Sequence, residues 1–165
     1  TEHGTIPLVL DRAKSPCAVR ALLFLATKKY FDSSPCHRLV VAVRYKVLQC
    51  GDPSGTGWGG PGFTFKDKPP TGLQPARDGK VVYPAGTVAM AEMPGSSYGS
   101  QFLLIYGDTE MPASDPIVGT YRETGQATLD AIAAGGVEQA TIPGTSLRIT
   151  RPKTPVVIQS ATVAA

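Results

Sequence analysis

Short β-prone runs broken by glycine, proline, aspartate and serine dominate this chain from Cys36 onward. They fall at residues 38–43, 45–49, 63–65, 87–91, 102–106 and 117–120, with a last one at 156–163. A chain interrupted this often cannot build long helices, and regularly spaced short strands with turn signals between them predict a barrel or sandwich. The 18 glycines and 15 prolines among 165 residues supply the tight turns such a fold needs. Residues 4–10 add an opening strand, with Ile6, Leu8 and Leu10 alternating toward one face.

Two segments break the β pattern. Ser15 is an N-cap candidate with Pro16 at the first helical position, and Val19, Leu22, Leu23, Leu25 and Ala26 form an apolar stripe at helical spacing ending near Lys28. A second helix is expected over 127–134, where Leu129, Ile132 and Ala133 share a face and Gly135-Gly136 supply the stop. The count is about seven or eight strands with two helices. We read it as a closed antiparallel barrel with helices over its ends, one domain spanning 1–165.

Several function classes are excluded by charge and spacing. The net charge of +3 comes from scattered Lys and Arg, so no footprint for nucleic acid stands out. No apolar run approaches the roughly 20 residues a membrane-spanning helix needs. Cys17, Cys36 and Cys50 show no CxxC spacing, and only His3 and His37 could join them in a zinc site. An odd cysteine count leaves one thiol free. A Cys17–Cys36 bridge is one option in an oxidising compartment, and the pairing stays open because Cα separation decides it.

Two motifs mimic other chemistries. Gly55, Gly57 and Gly60 satisfy GxGxxG, but Pro61-Gly62-Phe63 follows where a phosphate-binding helix should begin, so the glycines are assigned to positive φ angles in a folded-back loop. Gly95-Ser96-Ser97-Tyr98-Gly99 matches GxSxG, yet no histidine follows Ser97 as a hydrolase elbow requires. The order His37, Asp52, Ser97 does match that of chymotrypsin-like proteases, which makes a His-Asp-Ser hydrolase the rival enzyme. The loops 51–62 and 66–82 carry most of the unusual sequence, and long loops on a small barrel are commonly functional.

Read together, Phe31-Asp32, Cys36-His37-Arg38-Leu39, Leu48-Gln49-Cys50-Gly51-Asp52-Pro53, the loop Gly55-Thr56-Gly57-Trp58-Gly59-Gly60-Pro61-Gly62-Phe63, Gly86-Thr87-Val88-Ala89-Met90-Ala91 and Gly99-Ser100-Gln101-Phe102 resemble a cyclophilin from Gly4 to Val163. The cysteines of the CHRL and QCGDP segments, and the extra residues between Arg38 and Gln49, are similar to the extracytoplasmic domains of membrane-anchored actinobacterial cyclophilins. That likeness implies an extracytoplasmic address, as the soluble part of an anchored protein, with a cytoplasmic one as the alternative. In the family the first strand begins a few residues upstream of where Thr1 stands.

The resemblance implies an eight-stranded closed antiparallel barrel capped by two helices, with peptide bound outside the barrel. The implied activity is peptidyl-prolyl cis/trans isomerisation in peptides and folding proteins. It needs no metal or cofactor. Arg38 takes the place of the catalytic arginine, Gln49 and Gln101 those of the groove glutamines, and Ala91 that of the alanine whose backbone aligns peptide. His37, Val47, Glu92, Leu103, Met111, Pro112 and Asp115 complete the substrate-binding set. The pocket departs from the family in Tyr45 or Lys46 and Leu103 for phenylalanines, Val47 for methionine, Glu92 for asparagine, Met111 for tryptophan and Asp115 near the usual histidine. The implied partners are proline-containing peptides and unfolded or partly folded proteins, with weak cyclosporin binding, no nucleic acid and a monomeric state. A non-catalytic proline-peptide module is the alternative, because Glu92 adds negative charge and the pocket has lost aromatic area.

Overall fold

Strand alternation decides which way each residue faces, and the computed structural model, which describes residues 1–93, 97–142 and 144–164, shows the outcome. The strands are β1 (Leu8–Leu10), β2 (Ser34–Pro35), β3 (Arg38–Ala42), β4 (Tyr45–Cys50), β5 (Gln74–Pro75), β6 (Val81–Tyr83), β7 (Thr87–Met90), β8 (Phe102–Gly107), β9 (Thr109–Met111), β10 (Ile117–Tyr121), β11 (Val137–Thr141), β12 (Arg148–Pro152) and β13 (Val157–Ile158). Helix α1 covers Pro16–Thr27 and α2 covers Glu123–Ala134. The fold is mainly β with two helices.

Six strands pair antiparallel in the order β1-β10-β7-β8-β4-β3. The remaining strands form a β5-β6-β9 sheet and the β11-β12 and β13-β2 pairs. Among the described residues the ladders of this sheet run from β1 to β3, with none joining β3 back to β1. The strand expected at 63–65 is a single bridge between Phe65 and Tyr98, and the long strand expected at 156–163 pairs only over Val157–Ile158.

Period-two alternation sorts the sheet into two cores. Leu48, Val88, Met90, Phe102, Leu104 and Tyr106 face the helices and join Val19, Leu22, Leu25, Leu129 and Ile132. Val47, Ala89, Leu103 and Ile105 face the opposite way and pack with Tyr83, Ala91 and Met111. This smaller core underlies the candidate site.

Helix α1 starts where the Ser15-Pro16 signal places it, but the capping chemistry differs. The Ser15 hydroxyl donates to Ile117 O at 2.8 Å, while the N–H of the third helical residue, Ala18, donates to Asp67 Oδ2 at 2.8 Å. A carboxylate from the long 66–82 loop therefore satisfies an orphan donor at the positive end of the helix. Helix α2 begins four residues before the expected start, and Gly125 is a close-packing position inside its first turn. A Cβ there would stand 2.9 Å from Ile6 Cγ2 and 3.1 Å from Tyr121 Cδ2.

One disulfide is present. Cys36 bonds Cys50 and Cys17 is the free, exposed thiol, which replaces the Cys17–Cys36 option. Both bonded cysteines are buried against the helix-side core.

Candidate functional site

A row of side chains crosses the face of the sheet opposite the helices. Arg38 on β3 is registered with Gln49 on β4, Gln49 with Leu103 on β8, and Leu103 with Ala89 on β7. Directly opposed residues in antiparallel strands project to the same face, so the ladder itself brings a cation, an amide and an apolar floor into one line. Above this row lies a groove of about 310 Å³, lined by Arg38, Tyr45, Gln49, Lys80, Ala91, Glu92, Leu103, Glu110, Met111, Pro112, Ser114 and Asp115.

The polar end is held by a chain of hydrogen bonds. Arg38 Nη1 donates to Gln49 Oε1 at 3.3 Å, and Gln49 Nε2 donates to Gln101 Oε1 at 2.8 Å. Gln101, buried, donates in turn to the carbonyls of Gly57 at 2.9 Å and Gly59 at 3.0 Å. The amides of the same two glycines donate to Asp52 Oδ2 at 2.7 and 3.0 Å. This fold-back needs positive φ angles, 68° at Gly55 and 82° at Gly57, a conformation that glycine adopts without steric cost. Burial works to raise the Asp52 carboxyl's pKa, but hydrogen bonds from Ser54, Gly59 and Gly57 outweigh it and hold the group below its usual range. The Arg38 guanidinium also lies 5.6 Å from the centre of the Tyr45 ring, within cation–π reach.

The apolar end is formed by Leu103 and Met111 over the smaller core, with Pro112 to Asp115 as a lip. Tyr83, fully buried, donates to Asp115 O at 3.0 Å and Tyr98 donates to Ser114 O at 2.8 Å, fixing that lip from beneath. Burial, reinforced by the Asp115 charge, pushes the Tyr98 phenol up to about 12. Three acids, Glu92, Glu110 and Asp115, line the groove. Glu110 is paired with Arg44 at 2.6 Å and Arg77 at 3.5 Å. Asp115 has no such cation beside it among the described residues; burial, with the Glu92 charge adding to it, pushes its carboxyl up to about 7.

Over residues 1–163 the sequence matches the family described as cyclophilin type peptidyl-prolyl cis-trans isomerase/CLD. The chain belongs to the cyclophilin family. Similar curated proteins include the probable peptidyl-prolyl cis-trans isomerase B of Mycobacterium leprae, 43% identical over 141 residues, covering 83% of this chain and 48% of that protein. The Mycobacterium tuberculosis protein of the same description is 42% identical, covering 83% of this chain and 46% of its own length. This chain thus spans about half the length of the curated relatives it matches. A Cryptosporidium parvum cyclophilin type peptidyl-prolyl cis-trans isomerase, solved in the presence of the dipeptide Ala-Pro, has the same fold. Its TM-score is 0.74 at 22% identity, covering 99% of this chain and 94% of that one.

In this cyclophilin the groove gathers Arg38, Gln49, Ala91, Glu92, Leu103, Met111, Pro112 and Asp115 from the set named in the sequence. Gln101 stands one layer behind, and Val47 is fully buried within the smaller core rather than lining the groove. His37 lies on the other side of Arg38, in a second depression. Among the described residues its buried Nδ1 has no hydrogen-bond partner, and burial, opposed by Asp52 and reinforced by Arg38, lowers its pKa and so favours the neutral imidazole. A protease triad would need that nitrogen bonded to Asp52, whose carboxylate is committed to the glycine loop. Gly95 and Ser96 of the GxSxG stretch lie outside the described residues. Tyr45 rather than Lys46 lines the groove, and Lys80, Glu110 and Ser114 are lining residues that sequence reasoning did not single out.

Proposed function

We propose that this cyclophilin accelerates cis/trans isomerisation of X-Pro bonds in peptides and in unfolded or partly folded proteins. The observation that carries this reading is a fixed guanidinium in the same groove as the apolar Leu103 and Met111. X-Pro rotation meets a barrier of roughly 20 kcal/mol because amide resonance is lost in the twisted state. As resonance is lost the prolyl nitrogen regains a lone pair, and a hydrogen bond from Arg38 to it exists only in that state. An interaction made solely in the transition state raises kcat rather than merely tightening binding.

The remaining residues bind and orient. Leu103 and Met111 receive the proline ring and exclude water, while Gln49 holds the guanidinium from behind. The Ala91 N–H is already given to Gln101 O at 2.9 Å, so the Ala91 carbonyl is the backbone group left to align substrate. The Ala-Pro dipeptide present with the C. parvum neighbour supports proline as the group recognised. No nucleophile enters this mechanism.

Finer features belong to the same proposal. Family membership supports closure of the sheet into an eight-stranded barrel and a single domain over 1–165. Met111, where cyclophilins carry tryptophan, supports weak cyclosporin binding, and the protein acts as a monomer. The Cys36–Cys50 bond supports an extracytoplasmic address, since disulfides persist in oxidising compartments. Relaxation of an X-Pro peptide, followed with and without the protein, tests the activity: acceleration supports it, whereas peptide binding with no acceleration makes this a proline-recognition module.

A further inference from the structure

Arg38 and Gln49 are shared by two depressions, and only the first is used by the mechanism above. The second, about 550 Å³, opens on the His37 side of Arg38 between the glycine loop and the β11–β12 hairpin. Its walls are Trp58 on the loop and Ile142, Leu147 and Ile149 on the hairpin, with Val40 of β3 beneath. Trp58 and Leu147 are 51% and 52% exposed, so two large apolar side chains from separate elements face solvent across one depression.

The display is rigid on both sides. Gly57 and Gly59 flank Trp58, and each is bound through its carbonyl to Gln101 and through its amide to Asp52. The hairpin is tied down by Thr150 Oγ1 donating to Leu39 O at 2.6 Å, and its tip is closed by Ile142 N donating to Leu147 O at 3.0 Å. An exposed tryptophan flanked by two glycines that together make four hydrogen bonds keeps little backbone freedom for binding to remove. The Gln101 that fixes it also supports Gln49 and, through it, Arg38. The two depressions are thus joined by one hydrogen-bonded chain.

We propose that this second groove is a side-chain subsite for the same substrate, taking a bulky apolar residue, aromatic by preference, carried a short distance along the chain from the proline. The inference rests on the isomerase reading and adds a substrate preference to it. An extended peptide advances about 3.3 Å per residue, and both grooves border Arg38 and Gln49. The anchoring residue therefore lies within a few positions of the proline. The occupant is apolar because the walls facing each other are indole and isobutyl groups; Arg148 and Gln139 stand among the polar lining residues.

The test compares matched peptides with Phe or Gly placed two, three or four positions before or after the proline, beside a short peptide that ends next to it. Calorimetry gives Kd, relaxation gives kcat and KM, and Trp58, the sole tryptophan of the chain, reports occupancy by fluorescence. Expected is one Phe position that lowers Kd and KM about tenfold, about 1.4 kcal/mol, with little change in kcat and a shifted Trp58 emission. The half-exposed Leu147→Ser should erase that preference while leaving short-peptide turnover unchanged, and Trp58→Ala should erase it too. Equal Kd for Phe and Gly peptides at every position, or a Phe preference that survives both substitutions, overturns the subsite. So does Trp58 quenching by a single-stranded oligonucleotide but by no peptide. Failure to turn over even the short peptide sinks the isomerase reading instead, and the Kd comparison still decides whether the groove binds.

Discussion

Arg38 and Gln49 face each other across the β3–β4 ladder, and Arg38 Nη1 donates to Gln49 Oε1 at 3.3 Å. The arginine is thereby held by a neutral acceptor rather than a carboxylate. Its charge stays uncompensated within the pair, and on the proposed mechanism it is the donor offered to the developing lone pair. The Cys36–Cys50 bond closes the same end of the ladder, so covalent and hydrogen-bonded constraints converge on one side chain.

On the proposed mechanism Gln101 acts as a positioning residue for Arg38. It touches both Gln49 and the glycine loop but is buried below the groove. Gln101→Leu keeps the volume and removes the chain of hydrogen bonds. The expected result is a fall in kcat/KM of about tenfold, about 1.4 kcal/mol, borne mainly by kcat, in steady-state isomerisation assays. Unchanged kcat with raised KM would show that Gln101 binds peptide rather than orienting Arg38.

Asp115 gives the protein a pH-dependent stability. An aspartate in the unfolded chain titrates near 4, whereas burial and Glu92 raise Asp115 to about 7. The folded state therefore favours the protonated form. Its stabilising contribution is complete below pH of about 4 and is lost as pH rises through about 7, a difference on the order of a few kcal/mol. Asp115→Asn should flatten the stability profile between pH 4 and 8 and stabilise the protein most at pH 8, as measured by urea unfolding. A variant whose profile parallels that of the parent would contradict the assignment.

The Cys36–Cys50 bond closes a loop with a sequence separation of 14. Loop-closure entropy for a span of this size corresponds to about 3 kcal/mol at 25 °C. The double substitution Cys36→Ser, Cys50→Ser should lower the urea midpoint accordingly, and dithiothreitol should destabilise the parent but not the variant. Equal sensitivity of both proteins to the reductant would remove the disulfide from the account.

The face carrying the site was legible because alternation is a local property. Val47 and Gln49, or Leu103 and Ile105, fall on one face whatever the rest of the chain does. Tyr45 could not be separated from Lys46, since a one-residue offset in a strand exchanges its faces. The register settles it, with Tyr45 opposite Ala42 and an irregularity between Lys46 and Val47. The β11–β12 hairpin was missed because Val137–Thr141 and Arg148–Pro152 are mostly polar and only Pro152 is fully buried, with little apolar alternation to mark them. Strands β5, β6 and β9 are two or three residues long and two of them fall within or at the end of the long 66–82 loop, too short for a periodic signal. The Cys36–Cys50 pairing depends on two strands meeting, and no spacing along the chain encodes that.

The catalytic assignment is tested most directly by relaxation of an X-Pro peptide catalysed by the parent, Arg38→Ala and Arg38→Lys proteins, with peptide Kd measured alongside. The account predicts at least a tenfold loss of kcat/KM in Arg38→Ala with the fold retained. It also predicts that Arg38→Lys fails to restore the rate, because the planar donor fork is gone. A folded Arg38→Ala protein that still accelerates isomerisation at the parent rate would contradict the central claim.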